Sequence, residues 1–226
     1  MSGSIWLITY DVASKDEARY LDWFHRVHIP EKLARPGYLW AAHYEVVTAT
    51  GAPALLNGAD ASGDARGFLA IFGGEDTRTF LNPSPAQIKP TQPPLTREMM
   101  GLRVGSQSLI ATEEWRVERD GSSPPSYAFI EIVPCDTGGH DEDYGAWCIQ
   151  TLGPHLLSLA DSEVVVKLLS TTAAAKHIRV ASFGTLQGLQ DARANLPEDD
   201  WSHRVETYQA YGDWQPVLGR RIWPQS

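Results

Sequence analysis

The stretch from Trp23 to Pro30, WFHRVHIP, has a counterpart from Trp147 to Pro154, WCIQTLGP. In both stretches the tryptophan stands seven residues before the proline, in a helical pattern that follows a predicted strand. Around each stretch the chain reads strand, helix, strand, strand, helix, strand. Because such internal repetition decides the fold before any local detail does, the sequence predicts an α+β protein built from two βαββαβ units in one chain.

The length of the chain fits a division into two units. Its 226 residues suffice for two domains of about 110 residues each. We predict a first unit over residues 1–118, a linker over residues 119–126 and a second unit over residues 127–226. The predicted linker, RDGSSPPS, has the Gly, Ser and Pro content that is typical of a connection between domains.

The charge of the chain argues against two classes of partner. Its formal net charge is −9, from 28 acidic and 19 basic residues, which opposes attraction to nucleic acid or to an anionic membrane. RNA-binding domains share the βαββαβ order, but the basic Gly-aromatic run that they carry is missing from this sequence. The first residues do not resemble a secretion signal, and no apolar run is long enough to span a membrane. We therefore expect a cytoplasmic protein with neither nucleic acid nor membrane as a partner.

The first predicted helix has a broad apolar face. Ser14 and Glu17 have the spacing of a capping box, which predicts the start of the helix. On a helical period Trp23 and His28 share the buried face, whereas His25 points to solvent. Because proline disfavours helical geometry in the residue before it, Pro30 predicts that the helix ends near His28.

Alternation within the predicted strands separates two sets of side chains, since successive residues point to opposite faces of a sheet. We assign the smooth aliphatic set to packing under the helices and the larger set to a cavity between two sheets. The first set is Ile5, Leu7, Leu39, Ala41, Leu69, Ile71, Ala128, Ile130, Ile178 and Val180. The second set is Trp6, Ile8, Tyr10, Trp40, Tyr44, Phe68, Phe72, Phe129, Glu131, Arg179 and Trp223.

The run from Trp23 to Glu31, followed by Pro36-Gly37 and a strand over residues 38–45, resembles the dimeric α/β-barrel superfamily. Within it the run is most similar to EthD-like proteins. The resemblance implies two ferredoxin-like units that face each other through their sheets, enclose a cavity and carry their helices outside. Both units would come from one chain, so we expect a monomer with a pseudo-dimeric core or a homodimer. Members of the superfamily include cyclases, isomerases, monooxygenases and degradation proteins, so the resemblance implies a range of reactions.

His28 is the first candidate for a catalytic residue, because a neutral imidazole exchanges protons near pH 7. Glu31 is predicted to orient His28, and Tyr10 and Tyr44 to donate hydrogen bonds to a substrate. The alternatives are that His28 packs at the edge of the helix, that Glu31 is solvated and that the tyrosine hydroxyls reach the surface. In the second copy Leu152 stands in the place of His28, which predicts one polar site and one mainly structural half.

The predicted ligand-binding residues come from the larger set of side chains. We expect Trp40, Tyr44 and Phe72 to line the cavity. A charge on a buried sheet face is costly unless it is paired, so Glu131 and Arg179 are predicted to pair with each other or to hold a polar ligand. The full set of predicted ligand-binding residues is Trp6, Trp40, Phe72, Phe129, Glu131 and Arg179.

No cofactor is predicted. His25, His28 and Glu31 are three residues apart, but the predicted direction of His25 and the interruption at Pro30 argue against a metal site. Gly-rich phosphate loops and Gly-x-Ser-x-Gly elbows are missing from the sequence. The sequence thus predicts a small-molecule-binding barrel. Its function is either a cofactor-independent enzyme of the isomerase, cyclase or monooxygenase type acting on an apolar or aromatic metabolite, or a non-catalytic binding or assembly protein with a closed barrel.

Overall fold

A computed structural model describes residues 3–56, 64–119, 127–173, 175–211 and 214–224. Within these ranges eight strands close into a barrel in the order β1-β3-β2-β8-β5-β7-β6-β4, and all the pairings are antiparallel. The strands are β1 (Ser4–Ala13), β2 (Tyr38–Val46), β3 (Ala65–Gly74), β4 (Arg103–Glu118), β5 (Phe129–Cys135), β6 (Ser162–Ser170), β7 (His177–Phe183) and β8 (Val217–Trp223). The predicted α+β class is confirmed.

Helical segments connect the strands on the outside of the barrel. Those of the first half are α1 (Ser14–Trp23), a π-helical turn (Phe24–His28), α2 (Ile29–Leu33), α3 (Arg78–Leu81), α4 (Pro85–Ile88), a 3-10 turn (Lys89–Thr91) and α5 (Pro94–Met100). Those of the second half are α6 (Asp141–Trp147), a second π-helical turn (Cys148–Leu152), α7 (Gly153–Ser158), α8 (Leu186–Ala194) and α9 (Asp200–Tyr208). Within the described ranges, no helix is both long and apolar enough to cross a membrane.

The barrel consists of two four-stranded sheets with the same internal order, β4-β1-β3-β2 and β8-β5-β7-β6. The sheets join where β2 pairs with β8 and where β4 pairs with β6. The long strand β4 pairs with β1 over residues 103–112 and with β6 over residues 111–118. The prediction of two ferredoxin-like units in an intramolecular barrel is confirmed. Residues 120–126 of the predicted linker lie outside the described residues, and the division into domains stays a prediction.

The assignment of the two sheet faces was wrong for most strands. Aliphatic side chains such as Leu7, Leu69 and Ile71 fill the inside of the barrel, whereas Trp6 and Phe72 pack between the sheet and the helices. An eight-stranded barrel is just wide enough for side chains to fill, so small aliphatic residues suit its interior and large rings suit the layer under the helices.

Strand β2 follows the opposite rule from its neighbours. Trp40 and Tyr44 do face the barrel interior, as predicted for them. Ala41, which was assigned with the aliphatic set, does lie on the helix side, and Leu39 is 47% exposed. A register shift between Tyr38 and Trp40 interrupts the pairing of β2 with β3 at this point.

The inside of the barrel is a packed core. The cavity that lies among Trp40, Tyr44, Tyr127 and their aliphatic neighbours has a volume of about 20 Å³, which is room for about one water molecule. The prediction of a ligand cavity between the two sheets was therefore wrong, and a ligand site has to be sought on the outer face of the sheet.

The first helix does not end before Pro30. It continues from α1 through the π-helical turn into α2, which contains Pro30. Proline is tolerated in the first turn of an α-helix, and Pro30 is the second residue of α2, directly after the π-helical turn. The second unit has the same turn before Pro154. The predicted capping box was also wrong, because Ala13 is the N-cap and no side chain caps this helix.

Candidate functional site

A cavity of about 410 Å³ lies on the outside of the barrel in the first unit. Its walls come from β1, from the π-helical turn and α2, from the segment around α4, and from the start of β4. Trp6, Ile8 and Met100 form an apolar part of the wall. Ser106 and Ser108 also line the cavity and are exposed, so the cavity opens to solvent on the side of β4.

His28 lies on the wall of this cavity and is only 5% exposed. Its ring centroid is 4.8 Å from that of Trp23 and 5.4 Å from that of Phe24, and its Nδ1 is buried without a hydrogen-bond partner. Burial, followed by the positive charges of Arg103 and Lys32, lowers the pKa of His28 to about 2. The imidazole is therefore neutral at ordinary pH.

Lys32 lies one helical turn after His28 and lines the same cavity. It is 5% exposed, and its ammonium nitrogen is 5.2 Å from the ring centroid of Trp6, a cation–π distance. Among the described residues no carboxylate lies within 4.0 Å of this nitrogen. Burial, followed by the charges of Arg35 and Arg103, lowers the pKa of Lys32 to about 8.

Arg103 closes the cavity from the start of β4. Its guanidinium carbon lies 4.1 Å from the ring centroid of Tyr10, and its Nε donates a hydrogen bond of 2.7 Å to the hydroxyl of Tyr20. Its Nη2 is buried without a hydrogen-bond partner. A cation held on aromatic rings, with one donor unsatisfied, is available for an acceptor in the cavity.

A chain of hydrogen bonds runs behind the cavity, under α1. The hydroxyl of Tyr10 is 2.8 Å from Nε2 of His43, and Nδ1 of His43 is 2.8 Å from Nε2 of His25. His25, which was predicted to point to solvent, is thus half-buried and bonded. Burial is the largest cause that lowers the pKa of His25, to about 4, and that of His43 well below its usual value. Both imidazoles are neutral near pH 7.

The structure brings two of the predicted site residues, His28 and Trp6, together at the cavity. Tyr10 lies behind it in the hydrogen-bonded chain. Glu31 is exposed and does not line the cavity. Tyr44 lies inside the barrel, so it does not share a site with His28. Catalytic roles for these residues stay predictions.

The remaining predicted ligand-binding residues lie elsewhere. Trp40 packs against the barrel interior, and Phe72 is fully buried under the helices of the first unit. Phe129 packs against the helix-side core of the second unit. For Phe72 the prediction of a cavity wall was wrong, because its strand face is the one that the helices cover.

Glu131 and Arg179 form a buried ion pair with an N–O distance of 3.0 Å, and Arg193 adds a second pair to Glu131 at 2.9 Å. The predicted pairing is confirmed. Together with Trp147 these residues line a cavity of about 200 Å³ on the outer face of the second unit. Leu152, in the place of His28, is buried in the core there.

Sequence reasoning missed Lys32, His43 and Arg103. Lys32 had a usable signal, since residues four apart on a helix lie on one face and Lys32 is four residues after His28. His43 alternates with Ala41 along β2 and so shares its face toward the helices. Arg103 had no signal beyond its place at the start of a predicted strand. Within the described ranges, no cluster of three His, Cys, Asp or Glu residues is arranged to hold a metal ion.

Known proteins resemble this chain in fold and not in sequence. No protein-family model and no curated protein matches the sequence. An anthrone oxidase-like protein has a similar solved structure, with a TM-score of 0.64 and 12% identity over 98% of this chain and 94% of its own. A chlorite dismutase from Candidatus Nitrospira defluvii has a TM-score of 0.55 and 13% identity over 97% of this chain and 91% of its own. A heme-binding protein from Thermus thermophilus has a TM-score of 0.55 and 11% identity over 98% of this chain and 92% of its own. This likeness along nearly the whole chain, together with the closed eight-stranded barrel, shows that the chain has the dimeric α/β-barrel fold.

Proposed function

We propose that the outer cavity at His28 is the active site of a cofactor-independent enzyme that acts on a small apolar or aromatic molecule. The observation that carries this proposal is a neutral His28 on the wall of a partly apolar cavity that opens to solvent. A volume of about 410 Å³ falls within the range of roughly 300–1,000 Å³ that is typical of small-molecule sites.

A neutral imidazole in this position supports one kind of chemistry. It can accept a proton from a C–H group next to a substrate carbonyl. The C–H bond breaks, an N–H bond forms on His28, and the electron pair moves into the carbonyl group as an enolate. Nearby cations stabilise the negative charge that develops on the oxygen. Return of the proton to another carbon, or attack of the enolate within the substrate, corresponds to an isomerase or a cyclase.

Heme is bound by one protein of similar fold, but the donor set of this cavity does not fit it. A histidine that ligates a metal donates its other ring N–H to a carboxylate, a carbonyl or water. Among the described residues His28 Nδ1 is buried with no such acceptor, and no carboxylate or thiolate lines the cavity. Heme is therefore not part of the proposed function.

A second candidate function is non-catalytic ligand binding. It is favoured by the pKa of His28, which is about 2 in the structure and makes this imidazole a weak base. In that case the cavity holds the same kind of molecule without converting it.

Thermal-shift measurements with small aromatic carbonyl compounds test both candidates. We expect compounds that raise the melting temperature of the wild type to do so less for His28→Ala, while the exposed control His203→Ala behaves as the wild type. Turnover of the stabilising compounds is then followed by mass spectrometry in buffer without cofactors. Conversion that is lost in His28→Ala supports the enzyme, and binding without conversion supports the second candidate. Full conversion by His28→Ala contradicts a catalytic role for His28.

We propose further that the two halves are a tandem repeat of one EthD-like unit. In each half a tryptophan is followed directly by a π-helical turn and then by a proline in the next helix. The first half keeps His28 and the unpaired cations, and the second half pairs its charges through Glu131. We propose that the protein is cytoplasmic and that one chain forms the whole barrel as a monomer. Sedimentation equilibrium of the purified chain distinguishes a monomer from a homodimer.

A further inference from the structure

We propose that the molecule bound in the His28 cavity is an organic anion, a carboxylate or phenolate on an apolar ring, whose charged group sits between Lys32 and Arg103. This inference rests on the proposed function of the cavity as a small-molecule site. It adds the chemical class of the ligand: the sequence predicts an apolar or aromatic molecule, and the cavity indicates that this molecule carries a negative charge.

Several buried hydrogen-bond donors in the His28 cavity have no acceptor. Lys32 is 5% exposed and has no carboxylate within 4.0 Å among the described residues. Arg103 Nη2 and Trp6 Nε1 are buried without partners. All three residues line the same cavity. A buried donor without an acceptor costs about 1–3 kcal/mol, so a group of them indicates a site that is completed by an acceptor.

The charged side chains that line the cavity are positive. Among the described residues the cavity is lined by three cationic side chains, Lys32, Lys89 and Arg103, and by no Asp or Glu, although acidic residues outnumber basic ones by 28 to 19 in the chain. A low-dielectric pocket lined by one sign of charge concentrates ions of the opposite sign.

The second unit provides a comparison within the same molecule. Its outer cavity also contains buried arginine, but Arg179 and Arg193 are both paired with Glu131. Cations in that cavity are neutralised by the protein itself. Those of the first unit are left for a ligand, and the apolar surface of Trp6, Ile8 and Met100 beside them suits a ring.

An anion in this place also changes the chemistry of His28. The groups that surround its ring are Trp23, Phe24, Arg103, Lys32 and the more distant Arg35. A bound carboxylate offsets the charges of Arg103 and Lys32, which come after burial among the causes that lower the pKa of His28, and so raises that pKa. The imidazole is then a stronger base with the substrate in the cavity than without it.

Crystals soaked in sodium bromide test the anion site without assuming the shape of the ligand. We expect an anomalous peak within hydrogen-bond distance of Lys32 Nζ in the wild type and in the exposed control Lys15→Met, and its loss in Lys32→Met. Lys32→Gln replaces Lys32→Met if the latter does not fold. Surface bromide sites without one in this cavity, or an equal cavity peak in the Lys32 variant, would overturn the proposal.

Binding of naphthalene-2-carboxylate and of its neutral carboxamide in solution distinguishes the proposed anion site from the proposed small-molecule site. We expect the carboxylate to bind at least tenfold more tightly by calorimetry, and Lys32→Met to remove this preference. Equal affinity of both compounds, weakened by His28→Ala, would refute the anion and leave the small-molecule site standing. If neither compound binds, the bromide peak alone decides whether the anion site exists. If the wild type converts none of the compounds that stabilise it, that result contradicts the proposed enzymatic function and leaves the anion site untouched.

Discussion

The hydroxyl oxygen of Tyr10 lies 2.8 Å from Nε2 of His43, and both side chains are fully buried. The other nitrogen of His43 is bonded to His25, so each ring nitrogen of this buried imidazole has one partner. Arg103 rests on the opposite side of Tyr10, over its ring. Tyr10 therefore connects the hydrogen-bonded chain under α1 with the wall of the cavity.

Replacement of Tyr10 by phenylalanine is expected to destabilise the fold. The change leaves Nε2 of His43 buried without a partner, which costs about 1–3 kcal/mol. The free energy of unfolding in urea measures the effect. Tyr211→Phe is the control, because Tyr211 is 40% exposed and its change should stay within about 0.5 kcal/mol. Equal stability of both variants would show that the bond to His43 contributes nothing.

The fold is expected to lose stability on acidification from about pH 6.5. Burial lowers the pKa of His28 from 6.5 to about 2, so the unfolded chain takes up a proton at this residue before the folded chain does, and stability falls as the pH drops through this window. Between pH 7 and pH 5 the contribution of His28 is about 2 kcal/mol. Urea unfolding at both pH values should show this loss reduced by that amount in His28→Gln. An unchanged loss would mean that His28 is protonated in the folded state.

Replacement of Lys32 by methionine is expected to stabilise the fold at pH 7. Lys32 is a buried cation without a carboxylate, and an apolar side chain of similar length avoids its desolvation, for a gain of about 1–3 kcal/mol. Because the pKa of Lys32 is lowered from 10.5 to about 8, the wild type regains stability relative to the variant as the pH rises from 8 to 10.5. Denaturant unfolding at pH 7 and pH 10 measures both effects. A variant that is less stable at pH 7 would indicate a hidden partner for the ammonium group.

Two glycines of the second unit are expected to respond to alanine with opposite signs. A Cβ on Gly153 would lie 2.1 Å from Cη2 of Trp115, so Gly153→Ala should destabilise by about 1–3 kcal/mol through overpacking. A Cβ on Gly145, inside α6, would meet nothing closer than 4.0 Å, so Gly145→Ala should stabilise by about 0.5–1 kcal/mol. Thermal unfolding measures both, and a Gly153→Ala variant as stable as the wild type would contradict the packing of Trp115 on Gly153.

The sequence was sufficient to predict the order of the elements, because strand alternation and turn residues are local signals. Both halves have the predicted order of strand, helix, strand, strand, helix, strand. Which face of a strand points into the barrel is not a local property, since both faces of this sheet are buried. The rings of Trp6 and Phe72 were for this reason separated correctly from the aliphatic side chains but placed on the wrong side of the sheet.

The candidate site was predicted only in part. His28 stood out because histidine at a helix end is a familiar chemical pattern. Lys32 and Arg103 reach the same cavity from α2 and β4, two elements some seventy residues apart in the chain, and the pairing of β4 with β1 in the first sheet brings them together. The continuation of the helix through Pro30 was missed because no local pattern predicts the π-helical turn that precedes it.

The π-helical turn between Trp23 and Ile29 determines the direction in which His28 points. Two residues five positions apart point about 140° away from each other on an α-helix, but a π turn aligns them, and the rings of Trp23 and His28 are accordingly in contact. Removal of one exposed residue from this turn, such as Val27, would place Trp23 and His28 four positions apart, which is about 40° on an α-helix, so His28 would keep its direction, whereas α geometry with the same number of residues would turn it away. The site therefore depends on the geometry of the turn together with its number of residues, and a related chain with one residue fewer would present the same histidine from an ordinary α-helix.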